Sequence, residues 1–170
     1  MDLQFTALTP SKGAESDRLT DPGPSRTIFL MSPLATASNQ GAVIWLHLMV
    51  EMAPFIHEGH LRHEYRFCLV WGPTTAPRLG HTYDSLEAAR ILPPDARPVA
   101  RKALHRLTAR LLAHRSPPSF FMTTALPHLP ERALRKYEEL CEIFTSSGYD
   151  IAPMVHKSGF RDWEMIRNAP

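Results

Sequence analysis

The run His57-Glu58-Gly59-His60-Leu61-Arg62-His63-Glu64 is the densest group of reactive side chains in the chain. Imidazole is the commonest protein metal ligand, and it titrates near neutral pH. Spacing of three brings His57, His60 and His63 near one another on a helical turn or around a tight loop. Three nitrogen ligands are enough to hold an open zinc site, with Glu58 or Glu64 as base or fourth ligand. The zinc-protease pattern needs the second histidine four residues after the first, and here it comes after three. The competing reading is a polar hairpin tip. A divalent metal such as zinc at these three histidines is the one cofactor the sequence suggests.

A second candidate is cationic. Arg97, Arg101, Lys102, Arg106, Arg110 and Arg115, with His105 and His114, fall in a stretch that contains no acidic residue from Arg97 to Arg115. At 100° per residue, Ala100, Leu104, Leu107 and Leu111 form an apolar stripe. Lys102, His105 and Arg106 point away from that stripe. Arg101 and Arg110 flank it, and Arg97 and Arg115 lie nearer to it. A helix face of one sign suits an acidic protein partner or nucleic-acid phosphates. The aromatic side chains that single-strand binders interleave with their charges are missing from it.

Other chemistries lack their signatures. There is no Gly-x-Ser-x-Gly elbow, no Walker loop and no Gly-x-Gly-x-x-Gly. The glycine-rich pyrophosphate loop by which acetyltransferases hold coenzyme A is likewise missing. Cys141 lies on an apolar helical stripe, where it reads as core and not as a nucleophile. Asp162 and Glu164 share one face of a strand, where solvated charges are the simpler reading.

The elements that position these residues follow from the pattern. Residues 1–26 are rich in Ser, Thr, Pro, Gly and Asp and read as a flexible arm. Residues 27–170 read as a single domain, a length compatible with one packed core. The sixteen prolines fall mostly between apolar segments and punctuate them. Strands are expected at 27–31, 42–55, 65–71, 119–124, 151–155 and 160–166. The histidine run then sits at the tip of the hairpin between the second and third. Asp84-Ser85-Leu86-Glu87 is a capping pattern for a short helix stopped by Pro93-Pro94. Asp95 would cap the cationic helix, and Pro130 would open a third helix that Gly148 ends.

The expected fold class is therefore α+β: a mainly antiparallel sheet with about three helices packed on one face. The formal charge of +2 argues against an acidic nucleic-acid mimic and does not require nucleic acid. The two cysteines and the lack of a signal-like start point to a reducing cytoplasm. The longest apolar stretch, 42–56, is interrupted by His47 and Glu51 and is shorter than the ~20 residues of a membrane span. The function expected first is a non-catalytic regulatory module that docks on a protein partner through Arg97, Arg101, Lys102, Arg106 and Arg110. The alternatives are a metal-dependent hydrolase or metal-stabilised domain using His57, His60 and His63, and a nucleic-acid binder using the cationic helix.

Overall fold

The computed structural model describes residues 3–8, 17–23, 26–57, 59–73, 80–155 and 158–168. It is a mixed α+β chain with one nine-stranded, mostly antiparallel sheet and three α-helices among those residues. No described helix is long and apolar enough to cross a membrane.

The sheet is built around a long meander, β3 (Ile28–Asn39), β4 (Ala42–His57) and β5 (His60–Pro73). Its turns use Gly41 and Gly59, both at positive φ, the region that glycine adopts without a Cβ clash. β3 runs eight residues beyond the expected end at Met31, through Pro33. Proline cannot donate to a ladder, and the register shifts between Pro33 and Ala35, so the strand carries its proline at a bulge. β4 is apolar on both faces, as a central strand must be. Leu46, Leu48, Val50 and Met52 join the main core, while the intervening Met49 packs with Cys68 and Val70 in a second cluster.

The rest of the chain extends the sheet. β6 (Gly80–Thr82) pairs with β5. Gly80 backs directly onto the indole of Trp71, leaving no room for a Cβ. A crossover through α1 (Ser85–Ile91), a short 3-10 turn and α2 (Arg97–His114) leads to β7 (Ser119–Thr123), which lies parallel to β5. α3 (Glu131–Ser146) then leads to the hairpin of β8 (Tyr149–Val155) and β9 (Arg161–Arg167), with β9 inserted between β7 and β8. Asp84 caps α1 by accepting from the Leu86 backbone N–H at 2.7 Å. Asp95 does not cap α2. It lies in the 3-10 turn Pro94–Ala96, and α2 starts without a side-chain cap.

Leu104, Leu107 and Leu111 of α2 and Leu134, Tyr137, Leu140 and Phe144 of α3 are buried in the same core as Ile28, Leu30, Leu46, Val50, Tyr65 and Phe120. Parts of the N-terminal arm are placed as well. β1 (Thr6–Ala7) and β2 (Arg18–Thr20) both pair antiparallel with β3. Residues 1–2, 9–16, 24 and 25 of the arm lie outside the described residues.

Candidate functional site

The histidine run is strand and turn, not helix. His57 and His60 are register partners at the end of the β4–β5 hairpin. Strand alternation places His60 and His63 on opposite faces. Burial, followed by the charge of Arg115, lowers the His63 pKa. Glu58 and the His57 side chain lie outside the described residues, and among the described residues no three His, Cys, Asp or Glu side chains gather as metal ligands.

The cations of α2 meet carboxylates drawn from distant parts of the chain. Arg101 and His105 both bond Glu139 of α3, with the Arg101 Nε to Oε2 distance at 2.8 Å and His105 Nε2 at 3.1 Å. Arg106 grips Asp17 through two bonds of 2.9 and 3.0 Å, and Arg110 bonds the same carboxylate at 2.5 Å. Asp21 accepts from His114 at 2.8 Å and Arg115 at 2.5 Å. Arg97 donates to the Ala89 carbonyl at 2.9 Å, and Lys102 is exposed. Burial raises the Asp17 pKa, but hydrogen bonds from Arg106 and Ser32 and the Arg106 charge outweigh it and hold the carboxyl below the usual range. The cations of these pairs are about half-exposed, Arg115 excepted, so solvent screens the pairs.

A cleft opens where β4, β5, α1, α2 and α3 meet. Its volume is about 290 Å³. The floor is apolar, with Leu48, Leu69, Ala88, Leu92, Ala100 and Leu104 among its residues. Arg101, Arg132, Arg135 and Lys136 line it against a single carboxylate, Glu139. Glu139 already serves Arg101, His105 and Arg135, so the lining carries a net positive charge. Burial pushes the Lys136 amine down to about 8, with the Asp84 charge opposing the fall. Its Nζ lies 5.2 Å from the ring centroids of both Phe67 and Tyr137.

The cleft adjoins an interruption of the sheet. β5 pairs with β7 at one rung, Glu64 with Phe121, and with β6 only from Leu69 onward. Between these rungs, Tyr65–Phe67 have register partners in β4 and none recorded in β6 or β7 among the described residues. Alternate residues of such a stretch turn their backbone N–H and C=O away from β4. A cavity of about 190 Å³ fills that gap, lined by Tyr83, Thr123, Thr124, Ala125 and Tyr137 besides β5. Phe67 and Tyr83 line both spaces.

Aromatic packing holds the gap open. Phe67 and Tyr137 have ring centroids 5.6 Å apart, and Tyr137 stacks on Trp163 at 5.2 Å with planes 7° apart. The Tyr83 hydroxyl donates to Glu51 at 2.8 Å, and burial first, then this bond, raises its pKa. Cys141 lies outside both spaces, and burial pushes its thiol up to about 11, which leaves it protonated at neutral pH.

Comparison of the chain with protein families, with curated proteins and with solved structures finds no match. Sequence reasoning missed the cleft because its cations come from two helices, each read separately. Arg132, Arg135 and Lys136 at spacing three and four mark one face of α3. That spacing is the signal that would have found them.

Proposed function

We propose that this protein is a small-molecule-binding domain whose cleft takes an elongated anionic ligand. A phosphate-type head would meet Arg132, Arg135 and Lys136, and an extended arm would run over Phe67 and Tyr83 into the gap between β5 and β7. The observation that carries this reading is a mainly apolar cleft with four cationic side chains against one carboxylate, adjoining a second cavity beside β5 between its rungs with β7 and β6. Guanidinium groups bind phosphates through paired hydrogen bonds, so a cationic rim supplies the anion contacts that a glycine-rich loop makes with backbone N–H groups. An amide-bearing arm lying along Tyr65–Phe67 would pair with the backbone as an added strand does. The apolar floor provides the hydrophobic share of the affinity.

Calorimetric titration with four probes tests this reading: coenzyme A, decyl phosphate, decanol and inorganic phosphate. Coenzyme A combines phosphates with a two-amide arm, and decyl phosphate combines a phosphate with an apolar chain. The expected result is saturable binding of at least one of these two, with decanol and phosphate at least tenfold weaker. At a concentration of about 100 Kd the better ligand should stabilise the fold by about 2.7 kcal/mol. Arg132→Glu, at an exposed position, should weaken that binding at least tenfold and leave the melting temperature of the free protein unchanged. Equal binding of decanol and decyl phosphate, or an unaffected Arg132→Glu variant, would overturn the reading.

A further inference from the structure

The stretch 17–23 lies across the sheet edge and α2 and carries the carboxylates that α2 holds. Its strand, β2, adds to the edge of β3 through Arg18–Met31, Leu19–Leu30 and Thr20–Phe29. On either side of that strand, Asp17 is clamped by Arg106 and Arg110, and Asp21 by His114 and Arg115. Arg115 also donates to the Gly23 and Arg26 carbonyls, at 2.9 and 3.1 Å. The stretch adds no residue to the apolar core: all three β2 residues are exposed, Leu19 at 42%. Phe5, by contrast, packs against the core and anchors the earlier part of the arm. The described contacts of residues 17–23 are chiefly a three-residue ladder and ion pairs whose cations are mostly half-exposed. Such contacts are individually weak and are screened by salt.

We propose that this flank of α2, with the adjoining β3 edge, is a docking site for an extended acidic segment of a partner protein, and that residues 17–23 are its resident occupant. The partner would carry two carboxylates four residues apart, matching Asp17 and Asp21, on a strand that adds to Phe29–Met31. It recognises the site by strand addition for affinity and by carboxylate placement for register. The tethered arm competes with an effective concentration on the order of mM, so a partner must bind well enough to displace it.

The probe is a labelled peptide copying residues 15–23, with an Asp17→Asn, Asp21→Asn peptide as its control. The full-length chain carrying Asp17→Asn and Asp21→Asn should bind the acidic peptide at least ten times tighter than the wild-type chain does. It should bind the control peptide at least ten times more weakly than the acidic one. Adding Arg106→Glu and Arg110→Glu should abolish the gain. Hydrogen exchange on the wild-type chain needs no variant: the acidic peptide at about mM concentration should speed exchange of the Arg18–Thr20 amides. A folded Asn variant that binds the peptide no better than the wild type, or amides whose exchange the peptide leaves unchanged, would overturn the proposal. So would a wild-type chain that sediments as a dimer the peptide dissociates, since the occupant would then be a second copy's arm.

Discussion

The Lys136 ammonium lies 5.2 Å from the centroid of Phe67, at a point where that ring lines both the cleft and the gap beside β5. The ring face attracts the cation, but burial holds its pKa at about 8, well below the usual value for lysine. An anion bound beside it restores the charged form.

Anion binding in the cleft is therefore expected to take up protons at Lys136 near pH 8. Affinity for decyl phosphate or coenzyme A should fall as pH rises through about 8, where the free amine loses its charge. Calorimetry in two buffers with different ionisation heats measures the uptake directly, and Lys136→Met should remove it. The stability effect has the opposite sense. Between about 8 and the unfolded value near 10.5, the unfolded chain binds more protons than the folded one, so stability rises with pH in that window. Replacing this desolvated amine with methionine should stabilise the free protein at pH 7 by about 1–3 kcal/mol and flatten the rise.

Asp17→Asn should loosen the arm at neutral pH and have no effect in acid. The folded carboxyl titrates below its ordinary value of 3.8, so its stabilisation is present above that value and is lost as pH falls through the lowered one. At pH 7 the substitution should cost about 1 kcal/mol, a drop of roughly 2–4 °C in Tm for a chain of this length. Melting curves of wild type and variant should converge in acid once the pH falls through the lowered Asp17 value, and at neutral pH in about 1 M salt. Curves that stay apart in acid would show that Asp17 acts through its shape and not through its charge.

The strand and helix pattern was largely legible because the core is periodic. Ala100, Leu104, Leu107 and Leu111 mark the buried side of α2, and Gly148 ends α3 at a φ of +87°. Three things were not legible, for different physical reasons. The extension of β3 through Ser32–Asn39 depends on pairing with β4, because Pro33 alone argues for a break. The neutralisation of α2 depends on carboxylates up to 94 positions away along the chain, which no local charge count can include. The cleft depends on where α1, α2 and α3 meet β4 and β5, a property of tertiary packing that leaves no mark on any one element alone.

Glu139 offers a case where stability and affinity should move in opposite directions. Its carboxylate, 14% exposed, accepts from Arg101 and His105 and lies 3.4 Å from Arg135. Glu139→Gln removes the one negative charge among four cations in the cleft. Charged hydrogen bonds are worth roughly 1.5–3 kcal/mol each when enclosed, and less at half-exposed sites, so the loss should total about 1–3 kcal/mol. The same change should tighten binding of decyl phosphate severalfold, since a bound anion then neutralises the cations that Glu139 served. Urea titration and calorimetry on one preparation measure both. Weaker binding in the variant would mean that Glu139 is needed to orient Arg101 and Arg135.

The buried pair Tyr65–Thr108 predicts an asymmetry between its two partners. The Thr108 hydroxyl donates to the Leu104 carbonyl at 2.7 Å, so its oxygen is left to accept from the Tyr65 hydroxyl at 2.5 Å. The Tyr65 O–H therefore depends on Thr108, whereas Thr108 keeps the Leu104 bond without Tyr65. Tyr65→Phe should cost about 1 kcal/mol, the net value of one hydrogen bond. Thr108→Val strands a hydroxyl on a tyrosine that is 1% exposed and packed against Phe120 and Phe144, and should cost about 1–3 kcal/mol more than that. In the double variant the stranded hydroxyl is gone, so Tyr65→Phe made on top of Thr108→Val should be neutral or stabilising. Denaturant unfolding of the four chains in this cycle tests it. Equal single-variant costs would place a second acceptor within reach of the Tyr65 hydroxyl.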